Sequence, residues 1–164
     1  MTETWIDIHC HLDRLEGGAK FAVDLAQENG VGRMITIGTE PEDLPIVLDL
    51  ASQFPNQVYC TLGIHPHEGV KYSKSVADFI ILNSSQPSVV AVGEIGLDYY
   101  YNQSPKKEQL EAFNEQLEIA APFFCDMPVI SSTDTPLPSR CPAIPSSAPM
   151  VITPVPPMPV MRML

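Results

Sequence analysis

Three stretches carry side chains able to hold a divalent ion or meet a phosphate: Asp7-Ile8-His9-Cys10-His11, His65-Pro66-His67, and Glu94 within Gly93-Glu94-Ile95-Gly96-Leu97-Asp98. In the first, Trp5-Ile6 is a short apolar lead with strand character. Strand alternation then puts Asp7, His9 and His11 on one face and Ile6, Ile8 and Cys10 on the other. Same-face neighbours lie ~6.5 to 7 Å apart, and two imidazoles leaning together reach one ion at ~2.0 to 2.1 Å per nitrogen. A His-x-His pair alone is weak, because a solvated strand end gives the same pattern. A lone His65 or Glu94 likewise reads as a hydrogen-bonded core residue. Their joint placement says more, since each group falls at the C-terminal end of an apolar run, where α/β sheets and barrels assemble their sites. Glu94 follows five apolar residues, and a carboxylate there is costly to bury without a cation or donor to meet.

Periodicity predicts the elements that position these groups. After the first strand, Phe21, Ala22, Leu25 and Ala26 recur at helical spacing until Asn29-Gly30 supplies a left-handed stop. Residues 34–38 read as a second strand buried on both faces. Pro45 opens a second helix, with Ile46, Val47, Leu50 and Ala51 as its stripe and Phe54-Pro55-Asn56 as its end. Residues 58–64 are β-rich, and Val76, Phe79, Ile80 and Asn83 outline a third helix. Residues 89–93 form a fourth strand, then Ser104 as N-cap and Pro105 at the first helical position open a helix carrying Leu110, Phe113 and Leu117. Four strand–helix units argue for a parallel sheet in an α/β domain over residues 1–121.

Composition bounds the function classes. With 164 residues, 45% hydrophobic and 18% charged, the chain has enough material for one domain with a core. A net charge of −11 argues against a protein that coats nucleic acid or an anionic membrane through its overall field, so a phosphate substrate would be held locally. Cys10, Cys60, Cys125 and Cys141 are widely spaced, which suits neither a zinc knuckle nor a disulfide scaffold. With no apolar run near ~18 residues and no charged signal start, the expectation is a soluble cytoplasmic protein with no membrane contact.

Taken together, Asp7-Ile8-His9-Cys10-His11-Leu12-Asp13, Gly63-Ile64-His65-Pro66-His67 and Gly93-Glu94-Ile95-Gly96-Leu97-Asp98-Tyr99 resemble the TatD family of metal-dependent deoxyribonucleases, from residue 5 to about 121. The resemblance implies the N-terminal half of a (β/α)8 TIM-type barrel and a hydrolase that cleaves phosphodiester bonds of DNA. It implies His9, His11 and Glu94 as metal ligands, with Glu94 bridging two ions, and His65 at the mouth of the site against a substrate phosphate. Mg or Mn suits a carboxylate-bridged nuclease, and the histidine pair also accepts Zn. The family takes further histidines and an aspartate from later strands, yet no histidine follows His67, and Ser132 stands about where one is expected.

The composition changes at Pro122. Eleven of the 17 prolines and only two of the 20 acidic residues lie in 122–164, so this Pro/Ser/Thr-rich tail is expected to be mostly disordered, with Met127-Pro128-Val129-Ile130 as the one strand candidate. A reading-frame slip near Ala121 accounts for the shift, the missing ligands and the short chain together, and a natural proline-rich linker is the alternative. A truncated chain of this kind is expected to be weak or inactive and to self-associate through open sheet edges. Two other functions stay open: a non-catalytic binding module that retains half of a hydrolase fold, and a metal-dependent amide or ester hydrolase of the same barrel type.

Overall fold

The computed structural model describes residues 4–124. The proline-rich segment beyond them, the strand candidate at 127–130 and Ser132 lie outside the described residues. The order is β1 (Trp5–Cys10), a 3₁₀ turn (Leu12–Arg14), α1 (Gly18–Glu28), β2 (Val31–Ile37), α2 (Leu44–Gln53), β3 (Val58–Leu62), a 3₁₀ segment (Pro66–Lys71), α3 (Lys74–Asn83), β4 (Val89–Val92) and α4 (Lys106–Phe124). Strand and helix alternate four times. The strands form one parallel sheet in the order β1-β2-β3-β4, so every strand end that the sequence marked points the same way. The boundary drawn at 121/122 falls within α4, which carries Pro122 in its last turn.

The core lies between the sheet and its helices. Met34 from β2, Val58, Cys60 and Leu62 from β3, Leu44, Val47 and Ala51 from α2, and Val76 and Ile80 from α3 are all buried. Full burial of each large aliphatic contributes ~1.5 to 3 kcal/mol relative to leaving it exposed. β2 begins at Val31, three residues before the apolar run, because Gly32 and Arg33 interrupt hydrophobicity without interrupting pairing: Arg33 is registered with Ile6.

Two predicted helix faces are corrected. On α1, Phe21 and Leu25 are exposed, and the face toward the core is Val23 with the part-buried Ala19, Ala22 and Ala26. On α4, Leu110 is exposed, and the buried stripe is Gln109, Ala112, Gln116 and Ala120. On α1 the small alanines let the helix lie close to its neighbours, and on α4 the buried face is set by Gln109 and Gln116, whose amides bond the backbone of Asp98 and Ile64. Ser104 is not the cap of α4 either. Its buried hydroxyl donates to His67 O at 2.6 Å and accepts from Val70 N at 3.3 Å, while Pro105 O takes the first helical bond, from Gln109 N.

Among the described residues β1 and β4 are the sheet edges, and they leave Trp5 (72% exposed), Ile6 (53%), Ile8 (71%) and Val90 (49%) uncovered. Cys10 and Cys60 are free thiols. Burial pushes both up to about 12, with Asp7 and Asp13 adding to the effect at Cys10. Near neutral pH the thiolate is therefore scarce, and both cysteines should alkylate more slowly in the native protein than in urea. Peptide-resolved mass spectrometry after iodoacetamide treatment measures this. Equal rates for Cys60 in the two conditions would contradict its burial in β3.

Candidate metal centre

The strand ends converge because glycines let them approach. A Cβ at Gly63 would lie 2.5 Å from the Gly93 carbonyl carbon, so the β3 and β4 ends meet at a distance only glycine allows. Gly93 N donates to Leu62 O at 3.0 Å, and Glu94 N donates to Gly38 O at 3.0 Å, which ties Glu94 to the ends of β2 and β3. The Gly93–Glu94 peptide is cis.

His9 lies in β1, His11 just beyond it, and Glu94 just beyond β4, and one ligand atom from each lies within 4.8 Å of the others. His9 Nε2 is 3.8 Å from Glu94 Oε2. The donor set of two imidazoles and one carboxylate suits a borderline or hard divalent cation. His11 Nδ1 is buried without a hydrogen-bond partner, as a nitrogen that faces a cation would be. Asp7, which shares the face by alternation, instead accepts from His9 N at 3.0 Å, a bond local to β1.

His65 faces the other oxygen of the same carboxylate, with Nε2 3.8 Å from Glu94 Oε1. Its Nδ1 accepts from His67 N at 3.1 Å. An accepting Nδ1 carries no proton, so the neutral ring holds its hydrogen on Nε2. Burial keeps the imidazole below its ordinary value of 6.5, opposed by Glu94. His65 is thus a neutral N–H donor aimed at the cleft.

Several residues that sequence reasoning passed over complete the walls. A cleft of about 330 Å³ is lined by His11, Arg14, Thr39, Glu40, His65, His67, Glu68 and Glu94. Arg14 Nη2 donates to Thr39 Oγ1 at 2.7 Å and to Asp43 Oδ2 at 3.0 Å, and the buried Asp43 carboxylate also accepts from the Thr39 and Glu40 backbone. Lys71 meets Glu40 at 2.6 Å and Glu68 at 2.9 Å, and these carboxylates hold its ammonium above its ordinary value. Local spacing signals neither Arg14 with Thr39 and Asp43 nor Lys71 with Glu40, whose members are 25 to 31 positions apart; only Glu68, one helical turn before Lys71, is a local partner.

His67 Nε2 and Asp98 Oδ2 lie 2.6 Å apart. The Tyr101 N–H and His67 hold the Asp98 carboxyl below its ordinary value of 3.8, with Tyr100 N–H adding to them. A depressed carboxyl stabilises the fold above its unfolded pKa and loses that contribution as pH falls through the folded one. The loop at 98–102 should therefore loosen only in strong acid, below about pH 3.9. Hydrogen exchange at Tyr100 and Tyr101 across an acid series measures it, and loosening already near pH 6 would contradict the assignment.

The match to known proteins follows this geometry. The family described as TatD related DNase matches residues 6–130. The chain belongs to the TatD-related DNase family. It is 42% identical over 92 residues to a Salmonella typhimurium 3'-5' ssDNA/RNA exonuclease TatD, covering 56% of this chain and 35% of the relative. The solved structure of YjjV, a TatD homologue from Escherichia coli, superposes with a TM-score of 0.65 at 34% identity, over 73% of this chain and 48% of that one. A TatD family hydrolase from Entamoeba histolytica shares the fold at 23% identity and a TM-score of 0.61, over 75% of this chain and 48% of that one. This chain spans less than half the length of each. Its four strand–helix units are the parallel α/β architecture of those family members, and the family match runs past Pro122 through residues 127–130. Among the described residues no helix is long and apolar enough to cross a membrane.

Proposed function

We propose that this chain carries part of a divalent-metal-dependent hydrolase site for phosphodiester bonds of DNA, and that the chain by itself is weak or inactive. The observation that carries the reading is the convergence of His9, His11 and Glu94 within 4.8 Å, with the His65 donor across the same carboxylate. His9, His11 and Glu94 would hold a Mg, Mn or Zn ion. Such an ion supplies Lewis-acid polarisation of a phosphoryl oxygen. His65 donates Nε2–H to a non-bridging phosphate oxygen, and a distance of 3.8 Å to Glu94 leaves that proton free to do so. His67, braced by Asp98, walls the cleft beside it.

A local site is what an acidic chain needs to hold a polyanion. With a net charge of −11, Lys71 committed to carboxylates and Arg14 bonded to Asp13 and Asp43, attraction of DNA falls to the ion and to neutral donors. Weak activity follows from the donor count, since one three-ligand cluster is present among the described residues where a two-ion clamp needs more. The free thiols of Cys10 and Cys60 support a cytoplasmic setting. Within the same reading the site belongs to residues 1–121, which include every side chain that lines it.

Incubation of the purified chain with a labelled DNA oligomer and Mg or Mn tests the proposal. Slow cleavage that stops with EDTA and in Glu94→Gln supports it, and cleavage indifferent to both rejects it. The apolar edges of β1 and β4 support self-association. A monodisperse monomer by light scattering would count against that part.

A further inference from the structure

Helix α4 turns polar side chains toward the fold where a packing helix ordinarily turns apolar ones. Gln109 and Gln116, two helical turns apart, are each 1% exposed. Each spends its amide on both backbone groups of a single residue. Gln116 Oε1 accepts from Ile64 N at 2.7 Å, and its Nε2 donates to Ile64 O at 3.3 Å. Gln109 Oε1 accepts from Asp98 N at 2.8 Å, and its Nε2 donates to Asp98 O at 2.9 Å. The remaining hydrogens go to Ala112 O and Ser104 O, so both N–H hydrogens of each amide are used. Methionine at either position would fill the space without desolvating an amide, so packing alone does not call for glutamine.

The two backbone partners share one property, which is that each leads directly to a group on the cleft wall. The Ile64 carbonyl belongs to the peptide that carries His65, and the N–H of that peptide donates to Thr39 O at 2.8 Å. That peptide is gripped by α4 on one side and by the β2–α2 loop on the other, so rotation of the plane breaks a bond at either end. Asp98, held at both its N–H and its C=O by Gln109, is the residue whose carboxylate meets His67.

We propose that Gln116 is the positioning residue for His65 and Gln109 the positioning residue for the His67–Asp98 pair, so that α4 sets the direction of the cleft's imidazole wall while β1 and β4 set the metal ligands. The role given to His65 rests on the function proposed above, whereas the positioning itself is a statement about geometry.

The chain has four histidines, so imidazole ¹⁵N spectra resolve each ring of the full-length protein. In Gln116→Met, His65 should shift from its Nε2–H tautomer toward a mixture, while the ring nitrogen resonances of His9 and His11 stay where they are in the parent. Gln109→Met should move His67 in the same selective way. Gln116→Glu keeps the acceptor for the Ile64 N–H and should give the smaller change. A folded Gln116→Met whose four rings match the parent, or shift together, overturns the proposal. If that variant does not fold, Gln116→Glu and Gln109→Met decide it by the same criteria. Zn titration of the parent is read separately: absence of binding would reject the metal function and leave the histidine result standing.

Discussion

Glu94→Ala should lower the affinity of the chain for Mn or Zn by more than the ~10- to 100-fold that loss of an outer-shell partner costs, and His11→Ala should do the same. Two atoms on one ion, each bonded at ~2.1 Å, can be at most ~4.2 Å apart. The three ligand atoms already lie within 4.8 Å, so well under ~1 Å of contraction closes the site. Glu94 is the one anion of the trio, and its removal leaves a cation with neutral imidazoles alone. His65→Ala is the control. Its Nδ1 is taken by the His67 N–H and its Nε2 is protonated, so metal affinity should stay near the parent value. Calorimetric titration separates these cases. Parent-like binding by Glu94→Ala would remove the carboxylate from the site, and a His65→Ala loss as large as that of His11→Ala would make His65 a ligand.

Gly63→Ala should destabilise the fold by ~1 to 3 kcal/mol and weaken metal binding at the same time. The added carbon would meet Gly93 C at 2.5 Å, Gly93 Cα at 2.7 Å and Gly93 O at 2.8 Å. All three atoms are backbone, so no side chain can rotate away, and the β3 and β4 ends must separate. Separation strains the Gly93 N to Leu62 O bond and displaces Glu94, the next residue, from His9 and His11. Against a total stability of ~5 to 15 kcal/mol the loss is large enough to read as a lower urea midpoint. Gly96→Ala, where an added carbon meets nothing within 4 Å, is the matched control. Equal urea midpoints and equal metal affinity for the two variants would contradict the close approach.

Local periodicity was sufficient for the order of elements. Four apolar runs of strand length, each followed by a helical repeat, specify a parallel α/β sheet, because a parallel connection needs a crossover and a helix supplies it. The strand-end positions of His9, His11, His65 and Glu94 were legible for the same reason, since the end of a run is a property of consecutive residues. The helix faces were less so. On α1 the exposed Phe21 and Leu25 and the buried Val23 with its alanines, and on α4 the exposed Leu110 and the buried Gln109 and Gln116, are competing faces that all fit 3.6 residues per turn.

Only the tertiary structure selected between those faces, because the choice depends on how closely each helix approaches the sheet and on which backbone groups wait there to be bonded. The same holds for the cleft. Asp43 with Arg14, Gln116 with Ile64 and His67 with Asp98 join residues 29, 52 and 31 positions apart, and their partners are brought together by β–α packing with no trace in local spacing. The sequence by itself determined which side chains stand at the mouth of the sheet, since strand alternation and termination are local. The tautomer of His65, its distance from Glu94 and the polar grip of α4 were decided by contacts across the fold, where hydrogen-bond direction and backbone proximity exist only once the chain has closed.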